Sequence, residues 1–343
     1  SREVTVAASV SEEQSSDKSK ASAAYSASFE VLIKEALGTS VSSVTEEELG
    51  RFKYLSMRKG EAGWMITYSF ENPIVAAEQG QDADINVVVC QEALELQDIA
   101  ALPQLEYLNL DHTELPEGSL ETLSSLKMIT CDYIQLDMLR LALGDAAKGL
   151  ERLNASHLKS LEELSYFPGL KSLEMEDCRE ISDISALAQV KDLENLKLYD
   201  MDEVNDFTVL NVLKKLGSLS IDAENLKDIS FINHMPELAS LGITDSKILL
   251  LDPLVGKESL KELVLVDNGD VRDYNPVGTL TGLETLVINK YTNQDDPDLT
   301  ALTGLKHGEF HGMMGIRFLG SLTGLEELKV QGCNVDQPSV IAS

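Results

Sequence analysis

A leucine pattern recurs along most of this chain and constrains its fold more than any other feature. Clear copies of L-x-x-L-x-x-L-x-L are LPQLEYLNL (102–110), FPGLKSLEM (167–175), VKDLENLKL (190–198), LKKLGSLSI (213–221), MPELASLGI (235–243), LTGLETLVI (280–288) and LTGLEELKV (322–330). With weaker copies included, the last apolar residues of the repeats, here called anchors, fall at positions 110, 131, 155, 175, 198, 221, 243, 265, 288, 310 and 330. This spacing of about 22 residues is typical of a repeat protein.

Each repeat predicts one short strand and one tight return. Side chains alternate across a strand, so the leucines of L-x-L point into the protein and their neighbours point outward. Successive strands should stack in parallel, about 4.8 Å apart. The remaining residues are too few for a long helix, so a 3₁₀ or irregular segment is expected. An aspartate recurs near the start of this segment, as in ISDI (181–184) and LKDI (226–229), and it should accept backbone N–H groups there.

The repeat resembles the bacterial, internalin-like class of leucine-rich repeats over residues 90–335. Residues 29–57 are similar to the helical cap that precedes such arrays, with one helix ending at Gly38 and a capping box formed by Thr45 and Glu48. The resemblance implies an α/β leucine-rich-repeat solenoid. Its parallel β-sheet would be concave, its convex segments short 3₁₀ or irregular turns, and its N-terminus a helical cap.

The pattern divides the chain into three predicted parts. They are a flexible Ser/Ala-rich tether (1–28), an N-terminal cap with a β insertion (29–89) and the leucine-rich-repeat array (90–343). Within the cap, WMITYSF (64–70) is predicted as a strand. INVVVC (85–90) is predicted as the first strand of the array, with Cys90 as its anchor, which gives about twelve turns. Residues 132–149 are irregular with respect to the repeat.

Charge narrows the range of partners and locations. The 58 acidic and 28 basic residues give a formal net charge of -30, which repels the phosphates of nucleic acids and anionic membranes. No apolar run approaches the length of a membrane span. The sequence begins with Ser, and a Ser/Ala-rich tether in that position fits an exported, surface-anchored bacterial protein. We therefore expect an extracellular or cell-surface location, a monomer, and no nucleic-acid partner.

No sequence motif indicates catalysis. Phosphate-binding loops, nucleophile elbows and kinase signatures are missing from the sequence. The four cysteines fall in phase with the repeat, Cys90 and Cys131 at inward strand positions and Cys178 and Cys333 at the following turn, which favours core packing over a disulfide framework or a catalytic thiol. The prediction is a protein that is not an enzyme and has no cofactor.

The outward strand positions define a candidate binding face. They lie three and one residues before each anchor and one residue after it, and they should line the concave surface. Tyr107 and Tyr199 are the aromatic candidates on this face. Val264, Val266 and Val287 lie on adjacent strands and predict a small apolar contact patch. In the alternative interpretation they reflect only the strand preference of β-branched residues, under a covering loop.

The segment KHGEFHG (306–312) raises the question of a metal site. On a strand anchored at Phe310, the side chains of His307, Glu309 and His311 all point into the concavity, close enough to converge on one ion. The spacing lacks the helical pattern of zinc peptidases, and no fourth ligand is evident. Solvated side chains and a polar contact point for a partner are the alternatives to a metal.

Together these features predict a non-catalytic binding or adhesion module. It would be displayed on a bacterial cell surface and would recognise a protein or glycan through its concave face. One alternative is an intracellular leucine-rich regulatory scaffold that binds an enzyme through the same face. A second alternative is a metal-dependent enzyme centred on His307, Glu309 and His311.

Overall fold

The computed structural model describes residues 25–110, 114–290 and 295–334. Their contacts form two compact units. The first comprises the described residues up to Ala155 together with Tyr166–Gly169. The second comprises Ser156–Ser165 and the described residues from Leu170 onward.

Short strands alternate with short helical turns throughout. The α-helices are α1 (Ala27–Leu37), α2 (Glu46–Leu49), α3 (Pro73–Glu78), α4 (Leu96–Ala100) and α5 (Leu136–Leu143). The strands are β1 (Tyr54–Gly60), β2 (Gly63–Ser69), β3 (Asn86–Cys90), β4 (Tyr107–Leu110), β5 (Met128–Asp132), β6 (Arg152–Ser156), β7 (Ser172–Glu176), β8 (Asn195–Leu198), β9 (Ser218–Asp222), β10 (Ser240–Thr244), β11 (Glu262–Val266), β12 (Thr285–Asn289), β13 (His307–His311) and β14 (Glu327–Gln331). The 3₁₀ turns are Gly144–Gly149, Glu162–Tyr166, Ser185–Gln189, Thr208–Val212, Ser230–His234, Asp252–Leu254, Asn275–Thr279 and Arg317–Ser321.

The first unit begins its sheet in a way that the repeat did not predict. Its strand order is β3-β2-β1-β4-β5-β6. β1 pairs antiparallel with β2 and β2 antiparallel with β3, whereas β1 pairs in parallel with β4. The prediction that INVVVC forms the first parallel strand of the array is therefore wrong, although the segment is a strand. β1 takes that place, and its first residues were predicted to belong to the helical cap.

The helical cap is held to the unit by a buried carboxylate and an apolar face. Ser26 caps α1 through its own side chain, and its backbone N and Oγ donate to Asp98 Oδ1 and Oδ2 at 3.0 and 2.5 Å. Phe29, Leu32 and Ile33 on the apolar face of α1 are fully buried, and α1 ends at Gly38, whose φ is 70°. The predicted capping box of Thr45 and Glu48 is confirmed at α2.

Residues 132–149, which are irregular with respect to the repeat, contain a helix. α5 spans Leu136–Leu143 and continues into the 3₁₀ turn Gly144–Gly149. Leu136, Leu139 and Leu143 lie on one face of α5 and are buried. Their spacing of three and then four residues is the apolar period of a helix. In this segment it replaces the L-x-L strand pattern of the neighbouring repeats.

The second unit follows the predicted repeat closely. β7 to β14 are arranged in chain order, and each pairs in parallel with the next. Leu196 and Leu286 are fully buried at inward positions, as the alternation predicted. In both units the predicted anchors fall on strands, from Leu110 on β4 to Val330 on β14.

The predicted role of the aspartates is confirmed in the turns. Asp183, Asp206, Asp228 and Asp273 each accept the backbone N–H of the residue two positions later, through Oδ1 at 2.8 to 3.0 Å. Each of these aspartates lies fifteen residues before its anchor. In the repeat anchored at Leu265, the equivalent position is Leu250. Its side chain cannot accept a hydrogen bond, and 58% of the residue's surface is exposed.

Replacing Leu250 with asparagine should stabilise the protein. The amide oxygen can accept the N–H of Asp252, and an exposed leucine is removed from the surface. Restoring such a cap is worth about 0.5 to 1 kcal/mol. Urea denaturation of Leu250→Asn should give a higher midpoint with an unchanged slope, and a midpoint at or below that of the wild type would contradict this account.

A left-handed backbone conformation recurs two residues after the anchors. Asp177, Asp200, Asp245 and Asp267 adopt it with φ between 46° and 55°, and at the same position Gly312 has φ 71°. Aspartate tolerates this region better than most residues because its short polar side chain bonds locally, and glycine has no side chain to clash. The recurrence of Asp and Gly at this position therefore has a backbone cause.

A buried asparagine bridges neighbouring repeats, and the cysteines are free thiols. Asn268 is fully buried, where Nδ2 donates to the Ile243 carbonyl at 2.8 Å and Oδ1 accepts from Ser246 Oγ at 2.6 Å. None of the four cysteines forms a disulfide. Burial raises the pKa of the Cys90 and Cys178 thiols, which disfavours the reactive thiolate.

Candidate functional site

The outward face of the sheet in the second unit carries the predicted positions. On β9 to β13 these side chains alternate with fully or nearly fully buried ones, and most of them are half-buried. Strand register aligns them in rows that run across the strands. The middle row runs from Ser220 through Gly242, Val264 and Val287 to Glu309. This row is polar at its ends and apolar in its centre.

The valine patch is present on this face. Val264 lies directly opposite Val287, and Val266 lies two residues further along β11, on the same face. All three side chains are half-buried. On β10, Gly242 lies opposite Val264 and adds no side chain there, whereas Thr244 lies opposite Val266. Three valines beside a glycine form a shallow apolar surface.

The histidine-containing strand carries an ion pair. His311 Nε2 donates to Glu309 Oε1 at 2.9 Å, and Lys329 Nζ lies 3.1 Å from Glu309 Oε2. The hydrogen bond from His311, followed by that from Lys329, lowers the pKa of Glu309. His307 is half-buried at the far end of the same strand. Lysine therefore already supplies the positive charge that a metal ion would bring to Glu309.

Potential metal-binding side chains are scattered over the part of the chain that the structure describes. Within residues 25–110, 114–290 and 295–334, no three His, Cys, Asp or Glu side chains are grouped so that they could hold a metal ion.

Among the helices of the described residues, none has the length and apolar character that a membrane span requires.

An acidic edge borders the outward face near Tyr199. Tyr199 is half-buried, directly after β8, and its backbone N donates to the Met175 carbonyl at 2.9 Å. Asp222 ends β9 on the same edge. Burial, followed by the nearby charges of Asp200, Asp245 and Asp202, raises the pKa of Asp222 from 3.8 to about 6.

The raised pKa of Asp222 predicts a pH-dependent stability. The folded protein holds this proton more tightly than the unfolded chain, so stability decreases as pH rises from about 4 to about 6. Asp222→Asn should therefore be more stable than the wild type at pH 7, by about 1 kcal/mol once solvent screening is allowed for. Urea denaturation at pH 4.5 and pH 7 measures the difference.

A control separates this effect from a general loss of negative charge. The pKa of Asp206 is lowered by its hydrogen bonds to Thr208, so Asp206→Asn should bring no gain at pH 7. An equal gain in both variants would show that net charge, rather than the environment of Asp222, controls stability.

The outward face of the first unit contains a tyrosine pair. Tyr54 on β1 lies opposite Tyr107 on β4, with ring centroids 4.8 Å apart and planes inclined by 45°. Tyr107 OH lies 3.3 Å from Thr130 Oγ1. Met128 is opposite Tyr107 on the next strand, and Arg152 on β6 pairs with Glu78 of α3. Tyrosine, methionine and arginine are the residue types enriched at protein interfaces.

Sequence reasoning found Tyr107 but missed its partner. Tyr54 lies outside every leucine repeat, in the stretch that resembles a helical cap. The alternation of apolar and polar residues in YLSM (54–57) is a strand signal that could have identified β1. The structure therefore places two tyrosines together where the repeat predicted one.

Two solved structures from Listeria monocytogenes share this fold. An internalin (InlF) aligns with a TM-score of 0.59 at 20% identity, covering 91% of this chain and 90% of that chain. The functional domain of InlJ, which includes a cysteine ladder, aligns with a TM-score of 0.54 at 16% identity, covering 74% of this chain and 59% of that chain. No protein-family model and no curated protein sequence matches the chain. The predicted resemblance is confirmed at the level of fold: the chain is a leucine-rich-repeat solenoid like those of the internalins.

Proposed function

We propose that this protein is a non-catalytic binding module that recognises a protein partner through the outward face of its sheet. The observation that carries the proposal is the Tyr54–Tyr107 pair. Two tyrosine rings in contact offer a large, rigid surface that also carries hydroxyl groups, and such residues dominate the binding energy of protein interfaces. The resemblance to internalins supports a binding role only by analogy of fold.

The surroundings of the tyrosine pair favour a partner of mixed character. Half-buried Met65 and half-buried Val87 supply apolar surface on the same face of the sheet, where Met128 is buried. Arg152 places a guanidinium nearby, where it can pair with a carboxylate of the partner or keep its present contact with Glu78. The valine patch of the second unit is a further candidate contact on that unit's own outward face.

The test starts from a panel of purified extracellular proteins immobilised on an array. For any protein that binds, the affinity of the Tyr54→Ala/Tyr107→Ala variant should be at least about 30-fold lower, because truncating interface tyrosines of this kind costs about 2 kcal/mol or more. Circular dichroism should first show that the variant is folded.

A matched tyrosine provides the control. Tyr166 is 49% exposed and lies against Arg140 rather than on the outward face of the sheet. Tyr166→Ala should bind as the wild type does. If Tyr166→Ala loses binding while the double variant retains it, the contact surface lies elsewhere and the proposal is wrong.

The proposal includes display outside a bacterial cell. The strongly acidic composition and the Ser/Ala-rich residues 1–28 support it, and of that segment the structure describes only residues 25–28. Protease treatment of intact cells of the source organism should remove the protein, as detected by an antibody, while a cytoplasmic marker stays intact. Protection of the protein from the protease would instead favour the intracellular scaffold.

A further inference from the structure

Two crevices open on the turn side of the second unit, opposite the sheet. The larger has a volume of about 200 Å³ and lies between segments 205–211 and 225–231. The smaller has a volume of about 160 Å³ and lies between segments 159–162 and 180–186. Both are next to capping aspartates, so their positions follow from the repeat. Their chemistry depends on the side chains that line them.

The larger crevice has an amide-rich rim and an apolar floor. Asn205, Asn211 and Asn225 all line it, whereas no asparagine lines the smaller one. Phe207 and Phe231 form part of its floor and are more than nine-tenths buried. The larger crevice therefore combines an apolar floor with an asparagine rim that the smaller one lacks.

The hydrogen bonds of the asparagines determine what the rim offers. Asn205 Nδ2 donates to the Glu203 carbonyl at 2.9 Å, and Asn225 Nδ2 donates to the Asp202 carbonyl at 2.5 Å. These bonds fix the two amides and leave each Oδ1 available as an acceptor. Among the residues that the structure describes, Asn211 has no hydrogen-bond partner for its side chain, so this amide can both donate and accept.

The charges of the crevice select against anions. Asp206 and Asp228 contribute two carboxylates, against the single ammonium group of Lys227. Neutral hydroxyl groups suit this lining because each can donate to a carboxylate or amide oxygen and accept from an amide or ammonium group. The volume is smaller than the roughly 300 to 1,000 Å³ of pockets for drug-sized ligands, which limits the occupant to about one ring.

We propose that this crevice binds one neutral pyranose ring of a glycan, with its hydroxyl groups on the asparagine rim and its C–H face on the phenylalanine floor. The site is on the turn side of the second unit and does not depend on protein recognition by the outward face of the sheet. It would give the module a sugar contact in addition to its protein contact.

Ligand-observed NMR tests the proposal with the full chain and the methyl glycosides of glucose, galactose, mannose and N-acetylglucosamine. At least one should show saturation transfer at millimolar concentration. Asn211→Ala should weaken that binding about tenfold, the effect of losing a hydrogen bond worth about 1.4 kcal/mol. Because the side chain of Asn211 has no hydrogen-bond partner among the described residues, the substitution should leave the thermal unfolding midpoint nearly unchanged.

Matched variants make the result decisive. Asn233 lies at the equivalent place in the next 3₁₀ turn, outside the crevice lining, so Asn233→Ala should bind as the wild type does. The Tyr54→Ala/Tyr107→Ala variant should also keep its sugar binding, which separates this site from the proposed protein interface. The absence of saturation transfer for all four glycosides, or equal binding by wild type and Asn211→Ala, would overturn the proposal.

Discussion

Asp296→Ala should destabilise the protein by about 3 to 5 kcal/mol, one of the two largest effects expected of a single substitution here. The side chain of Lys290 is fully buried, and its Nζ lies 3.0 Å from Asp296 Oδ1. The same carboxylate accepts the backbone N–H groups of Met314 and Gly315 at 2.9 and 2.6 Å. Removing it takes the carboxylate away from a buried ammonium group and the acceptor away from two backbone donors.

Two further variants identify the cause. Asp295 is exposed beside Asp296, so Asp295→Ala should change the free energy of unfolding by less than about 0.5 kcal/mol. The double variant Lys290→Met/Asp296→Ala should be more stable than Asp296→Ala alone, because the buried charge is then removed with its partner. Urea denaturation measures all three, and a wild-type midpoint for Asp296→Ala would disprove the importance of the pair.

Gly312→Ala should lower the free energy of unfolding by about 3 kcal/mol, for a different reason. Gly312 has φ 71°, and a Cβ built there would overlap the backbone carbonyl of Lys290. Aspartates adopt the same conformation at the equivalent position of other repeats, so the left-handed backbone alone does not forbid a side chain. The Lys290 carbonyl does forbid a side chain at Gly312, because this backbone group can move aside only by disturbing the neighbouring turn.

A second glycine of the same unit shows what the substitution costs without this contact. A Cβ at Gly304 would meet nothing closer than 3.9 Å, and its φ lies outside the left-handed region. Gly304→Ala should therefore be neutral or slightly stabilising. Thermal unfolding of both variants provides the comparison, and similar midpoints would mean that the Lys290 carbonyl yields easily.

The leucine repeat predicted the strands well because each anchor must be buried. An L-x-L segment has only one way to hide both leucines, so the inward and outward positions follow from sequence. The same logic placed Val264, Val287 and Glu309 correctly on the outward face. Strand register could also have predicted the contact of Glu309 with Lys329, which lies opposite it on β14.

The segments that the repeat did not describe were predicted less well. β1 contains no leucine repeat, and whether it pairs with β2 alone or also with β4 depends on long-range contacts. The tyrosine pair follows from that pairing, so the sequence pattern could not reveal it. The division into tether, cap and array stays a prediction, as do the contact roles of Tyr107, Tyr199 and the His307–His311 strand.

The repeats of the second unit differ in length although their strands stay in parallel register. Residues paired across neighbouring strands are separated in sequence by 23 positions from Ser172 to Asn195, by 22 from Ser218 to Ser240, and by 20 from His307 to Glu327. The strands keep their pairing while the connecting turns absorb these differences. Insertions and deletions should therefore be tolerated on the turn side, whereas a one-residue change inside a strand would turn its buried leucines to solvent.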